Sequence, residues 1–133
     1  MSAASPNKTK ILIVEDEADI RELMQELLEI EGYSVDAACD GQDGLDRLRA
    51  YADLDMPNLI LLDIMMPVKD GFAFRVEQES DPRLAHIPVV VVSADAHVEE
   101  KRIRMGARAA LRKPVDYDRF LTVLAQETSQ SRG

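Results

Sequence analysis

The stretch LILLDIMMP, residues 59–67, sets an apolar run of four against one acid, Asp63, with Met65, Met66 and Pro67 behind it. A half-exposed strand alternates apolar and polar residues, whereas a strand covered on both faces is continuously apolar. LILL therefore reads as an interior strand of a parallel sheet, and Asp63 stands where that strand leaves the core.

Two further runs support this reading. ILIV (11–14) has the same character and ends in Glu15, Asp16 and Glu17. VVVV (89–92) is the clearest strand and is followed by Ser93. Weaker strands are expected at SVDAA (34–38) and at Ala109–Leu111. Helical patterns lie between them. Ile20, Leu23, Met24, Leu27 and Leu28 recur at helical spacing, and Gly32 closes that segment. Asp40 can cap a helix through about Ala52, with Leu45 and Leu48 inward. A third helix spans Gly71 to about Ser80, with Phe72 and Val76 inward. A short one lies near His97–Met105. Asp116 can cap the last, which carries Phe120, Leu121, Val123 and Leu124. Five β-α units predict an α/β doubly wound (βα)5 sandwich around a five-stranded parallel sheet.

Composition bounds the function. The 133 residues suit one domain, and a net charge of −9 argues against direct nucleic-acid binding. Cys39 is the single cysteine, so no internal disulfide or zinc spacing exists. A reducing, cytoplasmic setting is expected, with no signal peptide and no membrane span. Residues 1–8 read as a flexible lead and 128–133 as a flexible tail. Residues 101–113 hold six basic side chains and no acid. That segment reads either as a solvated face or as a docking surface for an acidic partner.

Sites in doubly wound sheets form at the carboxyl ends of the strands. Those ends supply Glu15, Asp16, Asp63, Ser93 and Lys113. Three carboxylates on one edge repel unless a cation joins them. Mg²⁺ suits such oxygen ligands and keeps several waters. A metal, a lysine and a hydroxyl around one carboxylate make a place for a phosphoryl group, with Asp63 as nucleophile. Met65 would offer its backbone carbonyl to the metal, since a thioether is too soft. Pro67 and Gly71 would shape that loop. The histidines, Cys39, Met24, Met65 and Met66 read as surface or packing residues, and Tyr33 and Tyr117 as packing at helix ends.

VEDE (14–17), DIMMPVKDG (63–71), PVVVVSA (88–94) and KP (113–114) together resemble the receiver domains of two-component response regulators. The resemblance covers roughly residues 9–127. It implies the CheY-like strand order 2-1-3-4-5 and transfer of a phosphoryl group to Asp63 from a histidine kinase or histidine phosphotransfer protein. It further implies Mg²⁺ on Glu15, Asp16, Asp63 and the Met65 carbonyl, with Ser93 and Lys113 contacting the phosphoryl group. The Lys113–Pro114 bond is expected to be cis. Met65 and Asp95 match positions that tune phosphoryl lifetime. The implied partners are the phosphodonor and a downstream protein target, with the chain a monomer or a weak phosphorylation-dependent dimer.

Two features depart from the family pattern. Ala110 stands where the family usually has the aromatic ring that turns inward on activation. The spacing from Ser93 to Gly106 is also short. Coupling is then expected to run through Ser93 and the loop after it. Other functions weigh less. An aspartate-dependent phosphatase wants a second acid where Met65 stands. A flavin carrier wants a Ser/Thr/Gly-rich loop after the first strand. A receiver-fold scaffold independent of phosphorylation is the remaining alternative. The chain is expected to be either a stand-alone receiver or part of a longer protein.

Overall fold

The computed structural model of the chain describes residues 9–66 and 68–132. The expected lead at 1–8 and Pro67 lie outside the described residues. Five parallel strands form one sheet: β1 (Lys10–Val14), β2 (Ser34–Ala38), β3 (Leu59–Asp63), β4 (Val89–Ser93) and β5 (Ala109–Arg112). Their order is β2-β1-β3-β4-β5, as expected from the resemblance. The helices are α1 (Ala18–Ile30), α2 (Gly41–Ala50), α3 (Gly71–Ser80), α4 (Val98–Met105) and α5 (Tyr117–Arg132). A short 3-10 turn at Asp53–Asp55, which the sequence pattern does not announce, precedes β3.

The continuous apolar runs have the predicted cause. Leu12, Val14, Ile60, Leu62 and Val91 face one way and pack with α2, α3 and α4 residues such as Leu45, Phe74 and Met105. Ile11, Ile13, Leu59, Leu61, Val90 and Val92 face the other and pack with Met24 and Leu28 of α1 and Phe120 and Leu124 of α5. Alternate residues of each strand thus feed separate cores. Each fully buried aliphatic side chain contributes roughly 1.5–3 kcal/mol.

Caps fix several helix starts. Asp40 accepts the Asp43 N–H at 2.8 Å, Asp70 the Ala73 N–H at 2.9 Å, and Asp116 the Arg119 N–H at 3.0 Å. Gly32, in a positive-φ conformation at 98°, follows the end of α1.

Four expectations are corrected. Val76 of α3 points to solvent at 68% exposure, while Phe74, Arg75 and Gln78 are the buried side chains. The inward face is turned from the predicted one because Arg75 and Gln78 find buried partners. Leu23 of α1 is 55% exposed and lines a surface groove instead of the core. Met65 is 65% exposed, so its side chain does no packing there. Helix α5 continues past residue 127 to Arg132, with Thr128 buried and its hydroxyl donating to the Leu124 carbonyl at 2.7 Å.

Candidate functional site

The ends of β1, β3, β4 and β5 meet on one edge, next to the switch point between β1 and β3 where the strand order reverses. Asp63 is the last residue of β3 and only 4% exposed; Glu15, one residue past β1, is 1% exposed. Parallel pairing holds them in place. Ile64 donates its N–H to the Val92 carbonyl at 3.2 Å, and Glu15 donates to the Ala38 carbonyl at 3.1 Å.

Lys113 reaches across from the end of β5. Its Nζ lies 2.9 Å from Glu15 Oε1, 3.4 Å from Asp63 Oδ2 and 3.9 Å from Glu17 Oε1. The Lys113–Pro114 bond is cis, as the resemblance implies. Asp63 Oδ1 accepts the Met65 N–H at 3.2 Å. Glu15 Oε2 accepts the Glu17 N–H at 3.1 Å. Arg21 of α1 ties down the acidic turn, donating to the Glu15 carbonyl at 2.8 Å and the Asp16 carbonyl at 3.4 Å.

One carboxylate oxygen from each of Glu15, Asp16 and Asp63 lies within 4.8 Å of the others. Burial, then the charge of Glu15, push the Asp63 carboxyl up to about 7 against the pull of Lys113. Burial works against the Lys113 charge too, but its hydrogen bond to Glu15 and the charge of Asp63 more than offset that and raise its pKa. One ammonium among four carboxylates leaves excess negative charge on this rim. All three gathered side chains offer hard oxygen donors. The cluster fits a divalent cation on both counts.

Ser93, 1% exposed, ends β4. Its Oγ accepts the Asp95 N–H at 3.1 Å, leaving the hydroxyl hydrogen for another acceptor. The loop after Asp63 is tight. Gly71 donates its N–H to the Ile64 carbonyl at 2.9 Å, and a Cβ at Gly71 would come within 2.8 Å of the Ile64 Cα. Val68 in that loop holds φ of 67°, a left-handed conformation that a β-branched residue adopts at a cost.

The basic run at 101–113 is largely engaged within the domain. Lys101 pairs with Asp95, Arg102 with Glu99 and Arg108 with Glu127. Arg104 lies over the Phe72 ring at 5.1 Å. Arg104, Arg108 and Arg112 of the run stay exposed. Glu17 and Asp95 join the site's hydrogen bonds; both are visible in the sequence, but only the folded turns show their partners.

A doubly wound sheet with an acid-and-lysine rim defines a class, and comparisons with known proteins place the chain within it. The receiver domain of NtrX from Brucella abortus superposes with a TM-score of 0.78 at 31% identity, over 90% of this chain and 98% of that one. The profile of the response regulator receiver domain matches residues 11–125, and the chain belongs to this family. It is a receiver domain of the kind found in two-component signalling.

"Response regulator PleD" of Caulobacter vibrioides is 41% identical over 110 residues, which are 80% of this chain and 23% of that protein. "Transcriptional regulatory protein DltR" of Streptococcus agalactiae is 35% identical over 126 residues, 92% of this chain and 53% of that protein. The chain thus spans between 23% and 53% of the length of these two curated relatives. Receiver domains are signalling domains. Among the described residues no helix is long and apolar enough to cross a membrane.

Proposed function

We infer that the chain is a phosphoacceptor switch, phosphorylated on Asp63 by a histidine kinase or a histidine phosphotransfer protein. The observation that carries this reading is the Lys113 ammonium set between Glu15 at 2.9 Å and the buried Asp63 at 3.4 Å. Such a buried charge cluster costs stability and is poor packing, which speaks against an inert scaffold.

An oxygen of the Asp63 carboxylate would attack the phosphorus of a phosphohistidine. The new P–O bond forms as the P–N bond breaks, and the imidazole leaves with the electron pair and takes a proton. Lys113 would swing its ammonium onto a phosphoryl oxygen, and Ser93 would donate its hydroxyl hydrogen to another. Glu15, Asp16, Asp63 and the Met65 carbonyl would hold Mg²⁺. When bound, the ion neutralises charge on the phosphoryl oxygens. Water later cleaves the acyl phosphate. The chain catalyses only its own phosphorylation and dephosphorylation.

A groove of about 480 Å³ opens beside the site, lined by Ile20, Leu23, Met24, Lys113, Pro114 and Phe120. Lys113 borders both groove and acceptor, so an apolar helix of the phosphodonor seated there would bring its histidine to Asp63. The chain would act in the cytoplasm on a downstream protein target, as a monomer or a weak phosphorylation-dependent dimer, without contacting nucleic acid directly.

Incubation with Mg²⁺ and acetyl phosphate, followed by intact-protein mass measurement, tests this. A gain of one phosphoryl group that Asp63→Asn abolishes supports the reading. No gain with acetyl phosphate or any histidine phosphodonor overturns it.

A further inference from the structure

Arg21 of α1 is placed against electrostatic habit. It lies at the end of the first helical turn, where the dipole favours acids, and Asp19 shares that turn. Glu17, Asp19 and Glu22 flank it in the sequence. Among the described residues, its guanidinium nonetheless hydrogen-bonds no carboxylate. It reaches back along the chain and donates from Nη1 to the Glu15 carbonyl at 2.8 Å and the Asp16 carbonyl at 3.4 Å. Its own backbone N–H donates to the Glu17 carbonyl at 2.9 Å, so one residue ties the helix start to the turn before it.

Those two carbonyls need a donor. Glu15 lies past Val14, the last residue of β1, and α1 begins only at Ala18. Among the described residues, neither the Glu15 nor the Asp16 carbonyl accepts a backbone N–H. A carbonyl left unmatched beside the core is costly, and Glu15 is buried. Arg21 satisfies both from one nitrogen and so fixes the tilt of two successive peptide planes. The side chains that leave this stretch of backbone are the two acids that β1 contributes to the rim.

The rim is thus held by two cations in different ways. Lys113 meets carboxylate oxygens, of Glu15 at 2.9 Å and of Asp63 at 3.4 Å, and occupies atoms that a metal ion would use. Arg21 touches only main chain and leaves those oxygens free. The Glu17 N–H braces Glu15 Oε2 at 3.1 Å, and oxygens of Glu15, Asp16 and Asp63 stay within 4.8 Å of one another. Metal sites owe much of their affinity to groups that orient the ligands without binding the ion.

We propose that Arg21 is a positioning residue for Mg²⁺: by holding the Glu15 and Asp16 carbonyls, it keeps both carboxylates gathered with Asp63 before the ion arrives. This rests on Glu15, Asp16 and Asp63 being the Mg²⁺ site. The sign of the effect separates positioning from charge. A nearby cation repels Mg²⁺, so if Arg21 acted by charge alone its loss would tighten binding. If Arg21 holds the ligands, its loss loosens binding.

Mg²⁺ titrations of the full chain, followed by the Asp63 and Ile64 amide NMR shifts, test this beside urea unfolding of each variant. Arg21→Met is expected to lower Mg²⁺ affinity about 10-fold. Before any metal is added, its Asp16, Glu17 and Ala18 amides shift or broaden, while those of Asp63 and Ile64 keep their wild-type positions. Should Arg21→Met not fold, Arg21→Gln, neutral and shorter, reads the same direction. Affinity unchanged or raised in a folded neutral variant overturns the positioning role and leaves the metal site standing, whatever happens to stability. A wild type that takes no Mg²⁺ overturns both.

Discussion

The polar cluster around Arg75 and the one at the strand ends are both buried, and they are built on opposite terms. Around Arg75 the single charge is spread over neutral acceptors: two carbonyls and the Gln78 amide, with Glu79 at the surface 3.1 Å away. Gln78 in turn satisfies two more carbonyls. At the strand ends, Lys113 faces Glu15, Glu17 and Asp63, with Asp16 alongside, and the acids outnumber the cation. The first cluster is complete and serves position. The second is left with a carboxyl pushed up to about 7, which marks a place where further positive charge is welcome.

Mutations can break this contrast. The largest effect is expected at the complete cluster. Arg75→Met strands Gln78 and the carbonyls at the end of α4, and urea unfolding is expected to show a loss of about 3 kcal/mol. Mg²⁺ affinity should change little. Lys113→Ala is expected to slow phosphorylation from acetyl phosphate about 100-fold, in the range for one lost electrostatic contact, as read by the rate of mass gain.

The third prediction follows the sign of the Asp63 shift. Its folded pKa of about 7 lies above the ordinary carboxylate value, so the folded state binds this proton more tightly. The stability this lends is complete below about pH 4 and is lost as pH rises through about 7. Without Mg²⁺, Asp63→Asn should therefore stabilise the chain at pH 8 by on the order of 2 kcal/mol, and the gain should vanish toward pH 4. Thermal melts across pH check it. By the same linkage, Mg²⁺ affinity of the wild type rises with pH and levels off above about 7. The smallest effect is at Val68, where glycine relieves the left-handed backbone; Val68→Gly is expected to gain about 1 kcal/mol in chemical denaturation.

The contrast also explains what the sequence made legible. LILL and VVVV declare buried strands because both sheet faces are covered, and an acid or hydroxyl directly after such a run falls on the site edge. Glu15, Asp63 and Ser93 were readable for that reason, whereas Lys113 follows a weak strand and was placed by the alternating pattern around it. The α3 face was not. Phe72 and Val76 look like its inward pair, yet Arg75 and Gln78 are buried because carbonyls distant in sequence receive them. Hydrophobic periodicity carries no record of a polar partner 30 residues away. Leu23 misleads in the opposite sense: it keeps the core spacing but borders a groove that faces outward. The hydrogen bonds that link Ser93 through Asp95 to Lys101 were legible only as residue types, since they depend on how one loop folds back on its own helix.

The most direct test of the phosphoacceptor reading is to locate the modification. The chain is treated with acetyl phosphate and Mg²⁺, reduced with borohydride, digested and mapped by mass. Reduction of an acyl phosphate turns an aspartate into homoserine. The account predicts that conversion at Asp63 alone, and only when Mg²⁺ is present. Conversion at another acid, or equal conversion with the metal chelated, would contradict it.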